Sequence, residues 1–261
     1  MVYVGTGRYL QADPSDPTNP LRNDLISAVV QSFYSIIDES DDPAKQGTVP
    51  RNKLLPQTIT QTNAPIGPYS GSRTVSNNKV TDPGYSDRTK GCYMDFDTTS
   101  PGDPSERITS GVLIKTFTTP GLEPRVIFVT STPTKEPCEK SGDSWLMEVN
   151  TSCGRLEKTP FGTVDAQGNF QSLSETTSVS GIKLDTQTGQ TGLVNEITWI
   201  AGPADKGIAF KLLPGTTGKV ESVAQSDDTC TDPCTCQNPP PPSCSGGGSL
   251  TPKRLYWEQI Q

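Results

Sequence analysis

A chain of 261 residues with 31% hydrophobic residues and 24 each of glycine and proline has room for one large all-β domain or two ordinary ones, its breakers favouring short strands joined by turns. It contains no histidine, which excludes the Ser-His-Asp triad, the Cys-His pair and every metal site that needs an imidazole. Net charge is −7, from 22 basic and 29 acidic residues, and no cluster of Lys or Arg exceeds two neighbours, which argues against nucleic-acid binding through phosphate contacts.

In chain order, residues 2–4 predict a strand that ends in the turn Gly5-Thr6-Gly7. The prolines Pro14, Pro17 and Pro20 make 13–20 a loop. Between 21 and 37 two periods compete. Leu25, Ile26, Val29, Val30, Phe33 and Ile37 fit a helical stripe, whereas alternation around Phe33, Ser35 and Ile37 fits a strand. The division adopted is a short helix at 22–28 and a strand at 30–38, followed by a polar loop at 39–50. Further strands are predicted at 54–61, 73–76, 91–96, 112–118, 125–130, 144–149, 193–200, 208–213 and 255–258, with Gly, Pro, Asn or Asp in most of the gaps. Short strands so spaced indicate a sandwich, a barrel or a propeller. Residues 225–248 differ: they hold four cysteines, prolines at 239–242 and glycines at 246–248, the composition of an irregular insertion that depends on cross-links. Strand character returns at 254–258, as expected of a strand that closes a sheet begun earlier. No apolar run is long enough to span a membrane as a helix.

The seven cysteines are Cys92, Cys138, Cys153, Cys230, Cys234, Cys236 and Cys244. Such a density in an acidic, Gly/Pro-rich chain points to an oxidising compartment. Met1-Val2-Tyr3-Val4 has neither the basic nor the apolar region of a signal peptide. With the odd cysteine count, the expectation is that the start has been lost. Cys138 and Cys153 flank one strand pair and are the candidate disulfide; closing about 15 residues would contribute on the order of 3 kcal/mol. Cys230, Cys234, Cys236 and Cys244 do not fall into the Cys-x-x-Cys pairs of zinc knuckles, so two loop disulfides are favoured over a four-thiolate metal site, with three pairings open.

Other motifs carry a functional reading and a structural one. Gly5-Thr6-Gly7 follows a strand but lacks the third glycine and the helix of a dinucleotide loop, and reads as a tight turn. Trp145, Trp199 and Trp257 are carbohydrate or partner platforms in one reading and packing residues in the favoured one. Glu106-Arg107 is either a structural ion pair or a solvated surface pair. No spacing singles out a pair of catalytic carboxylates.

Several segments, in order, resemble the C-terminal propeller of the PilY family of type IV pilus assembly and tip-adhesin proteins. They are Tyr3 to Leu10 (YVGTGRYL), Gln31 to Asp38 (QSFYSIID), Gly91 to Phe96 (GCYMDF), Glu106-Arg107-Ile108, Phe128 to Pro133 (FVTSTP), Cys138, Gly142 to Trp145 (GDSW) and Arg254 to Glu258 (RLYWE). The resemblance implies a modified seven-bladed β-propeller at the end of a larger exported protein. Members of the family act in pilus biogenesis by counteracting retraction, and some mediate attachment and mechanosensing. Two departures stand out. Cys92 occupies a position where the family has Trp, which either gives it a partner particular to this protein or leaves it free. The family's Asp/Asn-rich calcium loop is not found: Asp13, Asp16 and Asn19 are spaced by three with prolines between, and Asp165-Ala166-Gln167-Gly168-Asn169 has one carboxylate, too few for a strong calcium site. No Arg-Gly-Asp sequence occurs.

The expectation is therefore an all-β, partial β-propeller of short antiparallel blades with long loops and a Cys/Pro-rich insertion. Residues 1–225 form the partial propeller, 226–248 the insertion and 249–261 the closing strand. The chain is expected to be non-enzymatic, without a cofactor, and to act by recognition of pilin, minor pilins or a host surface in pilus assembly and attachment, with no nucleic-acid partner. Its expected location is exported, at the cell surface, the pilus tip or the outer membrane, with the insertion as a candidate contact loop. The competing readings are a fragment of a quinoprotein-like propeller dehydrogenase, which would carry calcium and a quinone, and a non-functional remnant. Trp145, Trp199 and Trp257 lie in unlike contexts 54 and 58 residues apart, unlike the fixed Trp-bearing period of the dehydrogenase.

Overall fold

A computed structural model of the chain describes residues 1–7, 29–39, 47–96, 106–116, 123–133, 142–184, 192–194, 196–203 and 208–226. The helix expected at 22–28, the loop at 13–20, Cys138, residues 227–248 of the insertion with its four cysteines, Trp257 and the expected closing strand lie outside them, while Ser226, expected to open the insertion, ends a strand. Among the described residues there are fifteen strands and no α-helix, and no helix is long and apolar enough to cross a membrane.

The strands make three sheets. The first has four, in the order β1 (Val2–Gly5), β2 (Gln31–Ile36), β6 (Gly91–Phe96) and β3 (Leu55–Gln57). All its pairings are antiparallel except that of β3 with β6. Pro56 sits in β3, an edge strand, where a missing N–H costs no ladder bond on the open side. The second sheet has six strands, β4 (Ile59–Thr62), β5 (Ser72–Val75), β12 (Gly181–Lys183), β9 (Gly142–Asn150), β8 (Arg125–Pro133) and β7 (Leu113–Lys115). The third has five, β11 (Phe170–Ser172), β10 (Phe161–Val164), β15 (Val220–Ser226), β14 (Ile208–Pro214) and β13 (Thr198–Ala201).

The six-stranded sheet is covered on both faces, and its central hairpin shows why the sequence there is almost continuously apolar. β8 and β9 pair antiparallel from Arg125↔Asn150 to Pro133↔Gly142. Side chains alternate across a strand. Val126 and Phe128, with Trp145, Met147 and Val149, therefore join Phe33, Met94 and Phe96 of the four-stranded sheet in one core. Ile127, Val129 and Leu146 face the other way and join Phe161, Leu213 and Val223 of the five-stranded sheet in a second. The Phe33 and Phe128 rings stack across the first interface, centroids 4.4 Å apart and 12° from parallel. Removing either ring would cost roughly 3–5 kcal/mol.

The strand expected at 54–61 is two strands in two sheets. The chain crosses at Thr58, whose N–H is taken by Ser76 Oγ at 2.9 Å, so β3 pairs with β6 while β4 pairs with β5. The strand expected at 193–200 narrows to β13, with Val194 bridged singly to Gly215. Strands β10, β11, β12 and β15 were not foreseen. Three of them are four residues or shorter. β15 (VESVAQS) is polar and gains its conformation from seven pairings with β14, Ile208↔Ser226 to Pro214↔Val220.

Candidate functional site

The cross-link is not the one expected. Cys153 is bonded to Cys92, 61 residues away, not to Cys138. Asn150 ends β9 and its Oδ1 accepts the N–H groups of Ser152 and Gly154, both at 2.9 Å. That turn holds Cys153 in the left-handed region, φ 58°, and presents its sulfur to Cys92 on β6. The bond ties the four-stranded sheet to the end of the central hairpin, and both half-cystines are buried. Cys92, the position at which the sequence departs from the PilY pattern, thus has its partner within the chain.

Glu106 forms a structural ion pair. Its two oxygens accept from Arg73 Nη1 and Nη2 at 2.5 and 2.6 Å, a bidentate arrangement buried on both sides. Gln61 Oε1 takes two further Arg73 protons, from Nε and Nη2, at 3.0 and 2.8 Å. The same guanidinium lies 3.9 Å from the ring centroid of Trp145, which is buried between sheets as a packing residue. Gly7, at φ 124°, provides the positive φ of a tight turn, packed against Arg107.

A second buried group was invisible in the sequence. Glu148 projects from β9 toward the five-stranded sheet, where it pairs with Lys211 of β14 and accepts from Arg125 Nη1 and Gln225 Nε2, each at 3.1 Å. Burial pulls the Lys211 ammonium down to about 8, against the stabilising charge of Glu148. A partly neutral lysine could act as a nucleophile, but Lys211 is 0% exposed, so its role is to neutralise Glu148. The Asp165 turn is likewise occupied. Its Oδ1 accepts from the N–H groups of Gln167 and Asn169 at 3.0 and 2.7 Å, its Oδ2 from Asn169 Nδ2 and Gln171 Nε2, which holds the carboxyl below its usual range. The carboxylate closes the β10–β11 hairpin.

Among the described residues, the outer face of the four-stranded sheet carries partly open aromatic and charged side chains. In register, Val4 lies beside Tyr34, Tyr34 beside Tyr93, and Ser32 beside Asp95. A short 3-10 turn at Arg51–Lys53 lays Arg51 over them. Its guanidinium is 4.0 Å from the Tyr93 centroid, donates from Nη1 to Tyr34 Oη at 2.7 Å and pairs with Asp95, which also accepts from Ser32 Oγ at 2.5 Å. Val2 and Val4 of β1 are exposed beside it. The aromatic rings and the paired arginine are residue types enriched in protein interfaces, and the exposed valines lie beside them.

No family model matches the sequence, and no curated protein matches it. Among solved structures the chain is similar to the crystal structure of the Pseudomonas aeruginosa PilY1 C-terminal domain, at 19% sequence identity and a TM-score of 0.54. The likeness covers 86% of this chain, which spans 41% of the length of that one. It bears out the all-β, partial propeller fold read from the sequence.

Proposed function

We propose that this chain is the propeller portion of a type IV pilus biogenesis and tip-adhesin protein, acting by recognition and not by catalysis. The observation that carries the reading is the shared fold with the PilY1 C-terminal domain over 86% of the chain. The Cys92–Cys153 disulfide supports an exported protein, because such bonds persist in oxidising compartments. The buried ionisable groups described above are closed on one another, as structural charges are, and the open chemistry is a contact surface on a rigid scaffold.

Pilin and minor pilins are the partners proposed, with Arg51, Tyr34 and Tyr93 in the contact. Wild-type chain immobilised on a sensor surface should retain purified minor pilins, and the double substitution Arg51→Ala, Tyr93→Ala should weaken retention by at least about tenfold. In the native host, deleting the segment for residues 1–226 should reduce surface pili and attachment. Normal piliation and attachment after that deletion would overturn the reading.

A further inference from the structure

We propose that Lys211 and Gln225 join their side chains in an intramolecular amide bond, with Glu148 moving the protons. Burial closes Lys211 to any substrate from solvent, so the electrophile it can meet is one the fold supplies. Lys211, Glu148 and Gln225 are each 0% exposed. β14 and β15 pair antiparallel, with Ala209 opposite Gln225 and Lys211 opposite Val223. Lys211 and Gln225 are therefore diagonal neighbours on one face, a separation that long side chains span. Glu148 holds both ends: its Oε2 takes the Lys211 ammonium, and its Oε1 accepts from Gln225 Nε2 at 3.1 Å. Two groups bound to one carboxylate are fixed beside each other, the arrangement that turns a bimolecular step into a unimolecular one.

The surroundings suit the step. Lys211 Nζ lies 4.7 Å from the ring centroid of Phe161 and 5.9 Å from that of Trp199, apolar walls that keep competing water from the amine. Desolvation there favours the neutral, nucleophilic form of the amine. Gln225 Oε1 is buried and has no hydrogen-bond partner, an open acceptor at the atom on which charge develops when an amine adds to Cδ. Glu148, once it holds the Lys211 proton, is the donor beside it. In sequence, Glu148 takes a proton from the ammonium, the freed amine adds to Gln225 Cδ, and Nζ yields a second proton. Both protons pass through Glu148 to Nε2, the Cδ–Nε2 bond breaks and the nitrogen leaves as ammonium. Nothing is oxidised or reduced, and no co-reactant is needed. Until the step Lys211 neutralises Glu148. After it, Arg125, whose Nη1 donates to the same carboxylate at 3.1 Å, remains as the countercharge. The event occurs once in each chain, without turnover, and staples β14 to β15 by a bond that reducing agents leave intact.

The test is the intact mass of the full chain, freshly purified and after a week at about pH 8, near the folded Lys211 value, with a proteolytic digest of each sample. A species lighter by one ammonia should be present or grow with time, and the digest should join the peptide of Lys211 to that of Gln225. Lys211→Arg keeps the cation without the nucleophile, and Gln225→Met keeps the volume without the amide; both should retain the full mass. Glu148→Gln should slow the loss at least about a hundredfold, and Glu148→Asp, which keeps a carboxylate, should slow it less. The wild-type digest decides the matter even where a variant fails to fold. The inference is overturned if the wild type keeps its full mass, if it loses one water instead, which would join Lys211 to Glu148, or if Lys211→Arg loses ammonia as the wild type does. None of these readouts depends on pili, so failure here leaves the pilus reading to its own test.

Discussion

Breaking the Cys92–Cys153 bond should lower stability by an amount the chain topology sets. The two residues are 61 apart in sequence, and the loop entropy released to the unfolded chain corresponds to about 4 kcal/mol. For a domain of this size each kcal/mol moves the thermal midpoint by about 2–4 °C, so the double substitution Cys92→Ala, Cys153→Ala should lower it by roughly 8–16 °C. Circular dichroism melts of the oxidised wild type, the double variant and Cys92→Ala alone would measure this, and either variant should lose the whole increment because each breaks the same bond. Cys138→Ala serves as the control: it should leave the peptide linking Cys92 to Cys153 intact in a non-reducing digest. A double variant melting within about 2 °C of wild type, or a digest that joins Cys138 to Cys153, would refute the pairing.

Glu148→Gln removes the countercharge of Lys211 and Arg125, all three being buried, and should cost about 3–5 kcal/mol in urea unfolding at neutral pH; a loss below about 1 kcal/mol would show the cluster to be solvated. Lys211 gives a pH signature. Its folded value of about 8 lies below the ordinary 10.5, so between those values the unfolded chain binds more protons, and the penalty of charging the buried amine is full below pH 8 and relieved as pH rises. Stability measured from pH 8 to 10 should therefore carry a positive slope that Lys211→Met abolishes. The readings stop there because the buried Tyr69 phenol, raised above its usual range, pulls stability down once the unfolded chain ionises. Gly91→Ala should be severe, losing more than about 2 kcal/mol, because Gly91 has φ 129° and a Cβ would strike the Ser35 carbonyl. Amide exchange at Phe33 to Ser35 should accelerate with it, and unchanged protection there would contradict the close approach of β2 and β6.

The legible parts of the molecule were those in which one strand carries its own signal. Residues 91–96 are a strand with the expected limits, and the apolar run at 125–130 is the core of β8. Trp145 is the packing residue the sequence favoured, and Glu106 takes the ion-pair reading of the two the sequence left open. What the sequence withheld was partnership over distance. Arg73 stands 33 positions before Glu106, and Cys92 pairs across 61 positions where proximity in sequence had favoured Cys138. The polar strand β15 has no apolar alternation to announce it, and its conformation comes from the β14 ladder. The platform around Arg51 is assembled from four separate segments, three strands set by register and the turn at Arg51–Lys53, which no local pattern encodes.

The two-sided burial of the central hairpin removes the usual means by which a sheet finds its alignment. In a half-exposed strand, slipping by one residue turns the apolar set toward water and is rejected. In β8 the same slip exchanges Val126 and Phe128 for Ile127 and Val129, side chains of nearly equal greasiness, and water is not consulted. Glu148 breaks that degeneracy. Sliding β9 by one residue would carry its carboxylate to the side of Phe33 and Met94, stranding it and Lys211 in separate apolar surroundings at a cost of several kcal/mol. The ion pair thus works as an index mark, distinguishing two faces that hydrocarbon alone would leave interchangeable and setting which neighbour each face meets.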